Sequence, residues 1–201
     1  RDPGNIYILP GENGAPLMLA LEGWQSVVQF DAAGKVVARH ALEAPNEGVI
    51  AFLSTAVDGQ GKRYYLGSAI GQGHAHLYDS QFKRLLTYPE SADHAGIFDC
   101  VLGDLTGDGK LQFLVSYLDV VGIQNVSLEG ERIWANRSLR DVFQLLLTDP
   151  VQGGARNILA AHSQGTIATL NAQGDRGDEI KVPDQFFRTI AAAPLGAGGR
   201  Q

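Results

Sequence analysis

The residues with the clearest chemical potential form the run Asp104-Leu105-Thr106-Gly107-Asp108-Gly109-Lys110-Leu111-Gln112. Calcium is a hard cation that gathers about six to eight oxygen ligands. The D-x-[DNST]-x-D-G spacing turns alternate side chains toward one point, and Gly109 permits the sharp bend. Asp104, Thr106 and Asp108 would supply side-chain oxygens, and Lys110 its backbone carbonyl. Gln112 stands where a carboxylate would normally add charge, which weakens the set. The same residues also suit a plain Gly/Asp turn between two strands, and both readings are open at this stage. Asp58-Gly59-Gln60-Gly61-Lys62 and the stretch from Asp149 to Gly154 keep only the first acid of the pattern.

Other groups are weaker. His74-Ala75-His76 places two imidazoles on one face of a strand, with Asp93 and His94 near in sequence, so a transition-metal site competes with a polar strand face. Ala161-His162-Ser163-Gln164-Gly165 resembles a nucleophile elbow, which requires a strand, a strained turn and a helix. The next residues, Thr166-Ile167-Ala168-Thr169-Leu170, alternate as a strand does, and no histidine lies beyond His162 to act as base. Gly67-Ser68-Ala69-Ile70-Gly71-Gln72-Gly73 is glycine-rich but lacks the Lys-Ser/Thr of a phosphate loop. No pair of carboxylates stands out as an acid/base couple. The expectation is a chain with no catalytic residues.

Composition narrows the classes further. With 16 basic and 22 acidic residues the net charge is −6, which gives no basic footprint for nucleic acid. Glycine contributes 25 of 201 residues and charged residues only 19%, which excludes a long helix or coiled coil. Cys100 is the single cysteine, so no disulfide scaffold is available; it lies in an apolar run and is expected to be buried and unpaired. No apolar run approaches the roughly 18 residues that span a membrane. Arg1-Asp2-Pro3-Gly4 has no apolar stretch behind it, so no signal peptide is visible. Asn125-Val126-Ser127 and Asn136-Arg137-Ser138 fit the glycosylation pattern.

The elements that must carry these residues repeat. Ile6, Phe52, Phe98, Phe143 and Phe187 each open a unit, at intervals of 46, 46, 45 and 44 residues. Gly23, Gly73, Gly122 and Gly165 recur within the units, each followed by a turn residue: Asp31, Asp79, Glu129 and Asn171. Each unit contains about four short apolar runs bounded by Gly, Asp, Asn and Pro, which read as strands. One stretch argues for helix instead, because Leu139, Val142, Phe143 and Leu146 share a helical face. Its counterpart from Phe98 lacks that pattern and Pro150 ends the run early, so strand is the expectation. Four strands in a unit of this size make one propeller blade, and such a unit buries its faces only against neighbours.

The expected fold is therefore all-β: a β-propeller of four-stranded antiparallel blades at residues 6–50, 51–96, 97–141 and 142–185, with a fifth blade beginning over 186–201. A larger propeller, a closed four-blade ring and two chains sharing one ring all satisfy that pattern. The segment DLTGDGKLQFLV resembles the calcium loop of FG-GAP/VCBS-type repeats. Gly122-Ile123-Gln124-Asn125-Val126-Ser127-Leu128-Glu129-Gly130-Glu131-Arg132-Ile133-Trp134 resembles the PQQ-like, quinoprotein-type repeat. Trp134 stands at its blade-closing aromatic position, where the first unit offers Val36-Val37. The resemblance implies a non-catalytic module that binds a protein or glycan, in a periplasmic, secreted or cell-surface setting, with calcium at Asp104, Thr106, Asp108, Lys110 and Gln112. It does not imply a bound quinone. The competing expectation is a propeller subunit of an enzyme, such as a polysaccharide lyase or a quinoprotein-like redox protein, with its catalytic residues outside this chain.

Overall fold

The computed structural model describes residues 3–10, 15–45, 48–91, 96–151, 153–163, 165–182, 185, 187 and 189–191. Over these residues the chain is all-β and runs as four antiparallel meanders of four strands each. The first sheet holds β1 (Pro3–Pro10), β2 (Pro16–Glu22), β3 (Ser26–Phe30) and β4 (Val36–Ala41). The second holds β5 (Phe52–Val57), β6 (Arg63–Ser68), β7 (Ala75–Tyr78) and β8 (Arg84–Tyr88). The third holds β9 (Ile97–Gly103), β10 (Gln112–Tyr117), β11 (Ile123–Ser127) and β12 (Arg132–Asn136). The fourth holds β13 (Val142–Leu147), β14 (Ile158–His162), β15 (Thr166–Leu170) and β16 (Arg176–Lys181). The helix-like stretch is strand β13, and Asp141 explains why: its φ of 47° lies outside helical backbone and stops a helix one residue before Val142.

The sheets stack face to face in chain order. Leu19, Leu21 and Val27 of the first sheet share a core with Leu53, Tyr65 and Tyr78 of the second. Leu66 and Leu77, the strand neighbours of those tyrosines, point the other way and pack on Cys100, Phe113 and Val115 of the third. Leu114 and Ile123 then leave the third sheet's opposite face to pack on Val142, Leu145 and Ala168 of the fourth. A strand buried on both faces reads as a continuous apolar run rather than an alternation. Accordingly β7 is buried throughout, whereas β15, with one face against the third sheet, alternates between buried and half-buried. Each fully buried side chain of this size contributes roughly 1.5–3 kcal/mol. Cys100 lies in the middle core as a buried free thiol, and that burial pushes its pKa well above the ordinary range.

β1, β5, β9 and β13 are edge strands, so some of their N–H groups lack a ladder partner. The preceding sheet supplies acceptors. Leu53 N–H donates to the Tyr7 hydroxyl (2.8 Å), Leu102 N–H to Ser54 Oγ (2.9 Å) and Leu145 N–H to Asp99 Oδ2 (2.8 Å). The series continues past the fourth sheet, where Ile190 N–H donates to Gln144 Oε1 at 2.5 Å.

The turns joining third and fourth strands share one construction. Asp31, Asp79, Ser127 and Asn171 each accept the N–H groups two and four residues ahead. In the third unit the repeating turn residue is thus Ser127, not Glu129. The hydroxyl does there what a carboxylate or carboxamide does elsewhere, so a search for acids and amides misses it. Three residues into each turn the backbone is left-handed, at Gly34, Gly130 and Gly174 but also at Phe82 (φ 59°). A bulky residue is a rare occupant of that conformation.

Phe82 is explained by the register. Strand position Leu86 lies opposite Leu77, and Trp134 lies opposite Asn125. Each of these large side chains presses on the turn glycine of the next sheet: Leu86 on Gly130, Trp134 on Gly174. The matching position in the first sheet is Ala38, opposite Gln29, rather than Val36-Val37, because a bulge after each turn adds one residue. Here the sizes are exchanged: the strand residue is small and the turn residue large. Phe82 is 5% exposed, stacks on Tyr65 at 4.3 Å and meets the tilted ring of His40, which shares the Ala38 strand face, at 4.8 Å. Replacing Phe82 by glycine should cost about 3 kcal/mol in urea unfolding, as buried aromatic truncations do. Adding Ala38→Leu should restore at least about 1 kcal/mol, recreating the Leu86–Gly130 arrangement. Additive costs would show that the two positions do not compensate.

Candidate functional site

Meandering strands put the connections at two ends of the stack. One end carries the loops between first and second strands together with the turns joining third and fourth strands. The other carries the second-to-third strand turns and the passages from sheet to sheet.

The acidic loop is at the first end, between β9 and β10. Asp104 Oδ1 accepts the N–H groups of Thr106 (3.2 Å) and Gly107 (2.7 Å), and its Oδ2 accepts that of Gly109 (2.8 Å). Asp108 Oδ1 accepts from the Thr106 hydroxyl (3.0 Å) and Lys110 N–H (2.9 Å), which hold the carboxyl below its ordinary pKa. Asp104, Thr106 and Asp108 therefore meet in one turn whose acceptors face amides and a hydroxyl. Gln112 has turned onto β10, where its Oε1 accepts from Asn125 Nδ2 at 2.7 Å. The loop's own amides and hydroxyl thus engage both carboxylates, and among the described residues no three His, Cys, Asp or Glu side chains group as metal ligands.

The glycines around this loop have a packing role. A Cβ on Gly59 would stand 3.1 Å from the Gly109 backbone, and Gly59 N–H donates to the Gly109 carbonyl at 2.8 Å. On the other side a Cβ on Gly107 would collide with the Gly154 backbone. The degenerate loops of neighbouring units thus touch backbone to backbone, which accounts for glycine recurring where the acids do not. Replacing Asp104 by alanine, in the absence of calcium, should destabilise the chain by about 1–3 kcal/mol, because three amides lose their acceptor. Millimolar calcium should leave the wild-type melting temperature unchanged. A rise abolished by Asp104→Asn would instead assign a bound ion.

The remaining candidates separate. His74 and His76 have ring centroids 6.2 Å apart, but His76 Nδ1 is 3.0 Å from Thr87 Oγ1 and the side chain is buried. Asp93 and His94 lie outside the described residues. Ser163 sits in a tight turn between the paired antiparallel strands β14 and β15, with His162 opposite Thr166, so no strand–turn–helix exists there. Gln164 lies outside the described residues. Asn125 is fully buried and Asn136 Nδ2 donates to the Gly174 carbonyl, so both glycosylation patterns are structural side chains.

Two buried groups shift in opposite senses. Burial, then the nearby His74 and Arg84 charges, lowers His76 to about 4. Burial raises Asp99 to about 6 against the pull of its Leu145 and Cys100 amide bonds. Asp99 in the native state keeps a proton that the unfolded chain loses near pH 4, so its contribution to stability falls as pH rises from about 4 to 6. Unfolded His76 takes up a proton below about 6.5 that the native state refuses, so its contribution rises with pH over nearly the same window. His162, lowered mainly by burial, acts in the same direction as His76. Urea unfolding of Asp99→Asn at stepped pH should show stability rising from pH 4 to 6.5. His76→Gln should tilt the profile toward falling stability. Parallel profiles in both variants would refute the assignment.

At the second end the turns hold an arc of exposed apolar residues. Trp24, Ile70 and Val120 come from three successive sheets and are 52%, 57% and 46% exposed. The chain entering each following sheet pins these turns. Ile50 N–H donates to the Trp24 carbonyl (2.9 Å), Gly71 N–H to the Ile97 carbonyl (2.8 Å), and Asp119 N–H to Asp141 Oδ1 (2.9 Å). Trp24 and Asp119 have φ of 69° and 67°. Sequence reasoning misses this arc because each residue is alone in its own turn, and only the stacking of the sheets brings the turns to one end.

No protein-family model matches the chain. No curated protein matches it significantly. Solved structures do. BBS1N in complex with ARL6DN, from a crystal soaked with lead, superposes with a TM-score of 0.66 at 10% identity, covering 94% of this chain and 59% of that one. The same complex soaked with mercury gives 0.60 at 13% identity, covering 90% and 52%. The chain thus spans little more than half the length of the solved chains it matches. Together with the four antiparallel sheets, these likenesses support a β-propeller-like fold. They do not bear on the FG-GAP/VCBS or PQQ-like type.

Proposed function

We propose that this chain is a non-catalytic interaction module whose partner is a protein, docked on the end that presents Trp24, Ile70 and Val120. The observation that carries this reading is the geometry of those residues: three apolar side chains exposed on turns that backbone hydrogen bonds hold in place. Apolar side chains exposed together mark docking surfaces, and tryptophan is enriched among the residues that dominate binding energy. Rigid support lowers the entropy lost on association. The similar fold of BBS1N, solved in complex with ARL6DN, supports a protein as the partner class; glycan binding has no comparable support. Fold likeness alone does not fix function, so the weight rests on the surface.

On the same reading, the Gln144–Ile190 bond marks the start of a further blade. It repeats the step by which Asp99 receives Leu145, at the same separation of 46 residues.

The test is photo-crosslinking in the source cells from position 70, with position 85 as control, since Leu85 is 48% exposed on β8. The captured protein is then purified and its affinity measured by calorimetry. Trp24→Ala should weaken binding by roughly 30-fold, the loss expected of a dominant interface residue at about 2 kcal/mol. Equal adducts from both positions, or unchanged affinity in the variant, would overturn the proposal.

A further inference from the structure

A cleft of about 650 Å³ opens between the first and second sheets, at the end of the stack opposite Trp24, Ile70 and Val120. Its apolar lining includes Leu17, Tyr65 and Phe82. The exchange of sizes at Ala38 and Phe82 puts an aromatic pair here, because the Phe82 ring lies on Tyr65 at 4.3 Å. The later gaps between sheets are closed at this end by backbone contacts, Gly59 on Gly109 and Gly107 on Gly154.

The cleft is also cationic. Lys62 and Arg63 line it, and among its described lining residues there is no acid, in a chain whose net charge is −6. Arg63 is held across the gap: Nη1 donates to Thr55 Oγ1 at 3.2 Å and Nη2 to the Pro10 carbonyl at 2.6 Å. A guanidinium has five N–H donors in a rigid fork, and two are used in these bonds. The Lys62 ammonium instead lies exposed, 4.7 Å over the Tyr64 ring, on the strand face that packs toward the third sheet, so Arg63 is the cation that faces the cleft. Asp58 and Asp79 act on Lys62 from nearby, but each carboxylate already accepts two backbone amides.

The rim decides which anion fits. Phosphate sites are typically built from several converging backbone N–H groups. Here six amides of the two rim turns are consumed within those turns: Gln60, Gly61 and Lys62 donate to Asp58, and Gln81, Phe82 and Lys83 to Asp79. Pro10 and Pro16, which also line the cleft, have no N–H. Among the described residues an anion is therefore met chiefly by the Arg63 fork, beside an aromatic wall. From this we infer that the cleft binds a protein segment carrying an Asp or Glu carboxylate next to an apolar side chain. The carboxylate lies against Arg63, and the apolar group lies on Phe82 and Leu17. The volume falls within the range of ligand sites. This site is separate from the docking end that presents Trp24.

An array of immobilised random octapeptides, probed with the labelled 201-residue chain, tests it. Bound peptides should be enriched in Asp or Glu adjacent to Leu, Ile or Phe. A fluorescein-labelled peptide from the best spot should bind about tenfold more weakly to Arg63→Gln and to Phe82→Leu, each first checked for an unchanged circular-dichroism spectrum. It should release with rising salt. Trp24→Ala should leave this binding unchanged, so failure here and failure at the docking end are read separately. Absence of acidic enrichment, equal binding to Arg63→Gln, or displacement of the peptide by inorganic phosphate as readily as by an unlabelled copy would overturn the inference.

Discussion

An unpaired edge strand next to a neighbour that can satisfy it is the constraint on which this molecule is built. Each sheet ends in a first strand whose N–H groups face away from its own ladder, and each preceding sheet extends a side chain to meet one of them. The acceptors differ at every step: a phenol at Tyr7, an alcohol at Ser54, a carboxylate at Asp99 and a carboxamide at Gln144. A sheet stacked on the wrong neighbour would bury an N–H without its partner, at a cost of about 1–3 kcal/mol. The chemistry that joins the sheets therefore also orders them.

The repeat was legible because turn chemistry is local. Glycine and a side-chain acceptor at fixed offsets mark a turn whatever lies around it, so the four units and their strands could be read from Asp31, Asp79 and Asn171. Reading stopped where side chains answer to other sheets. Ser127 replaces an acid without changing the turn. Ala38 replaces Leu86 and Trp134 because Phe82 fills the space from the opposite side, and neither residue alone carries that signal. In the acidic loop the sequence shows the acids but not the amides that Asp104 and Asp108 accept. The arc of Trp24, Ile70 and Val120, like the cleft beside Phe82, exists only once the sheets are stacked.

The two ends of the stack have different physical characters. At one, backbone bonds from the incoming chain freeze short turns, and apolar side chains stand in solvent on fixed bases. At the other, hydrogen-bonded turns and glycine contacts close the later gaps, and the first is left open with cations at its rim. Buried titratable groups lie between the ends, inside the joints. Asp99 and His76 there shift in opposite senses, so their contributions to stability run against one another across mildly acidic pH.

Phe82 has a consequence for how such a chain can grow. Repeat proteins lengthen by copying a unit in tandem, and most joints here would tolerate a copy, since a large strand residue meets a turn glycine. A duplicate of the second unit inserted after itself would set Leu86 of the original against Phe82 of the copy, two bulky groups competing for one space. The second unit can therefore follow only a neighbour as slight at that position as the first, and tandem copying is sterically easier for the units after it.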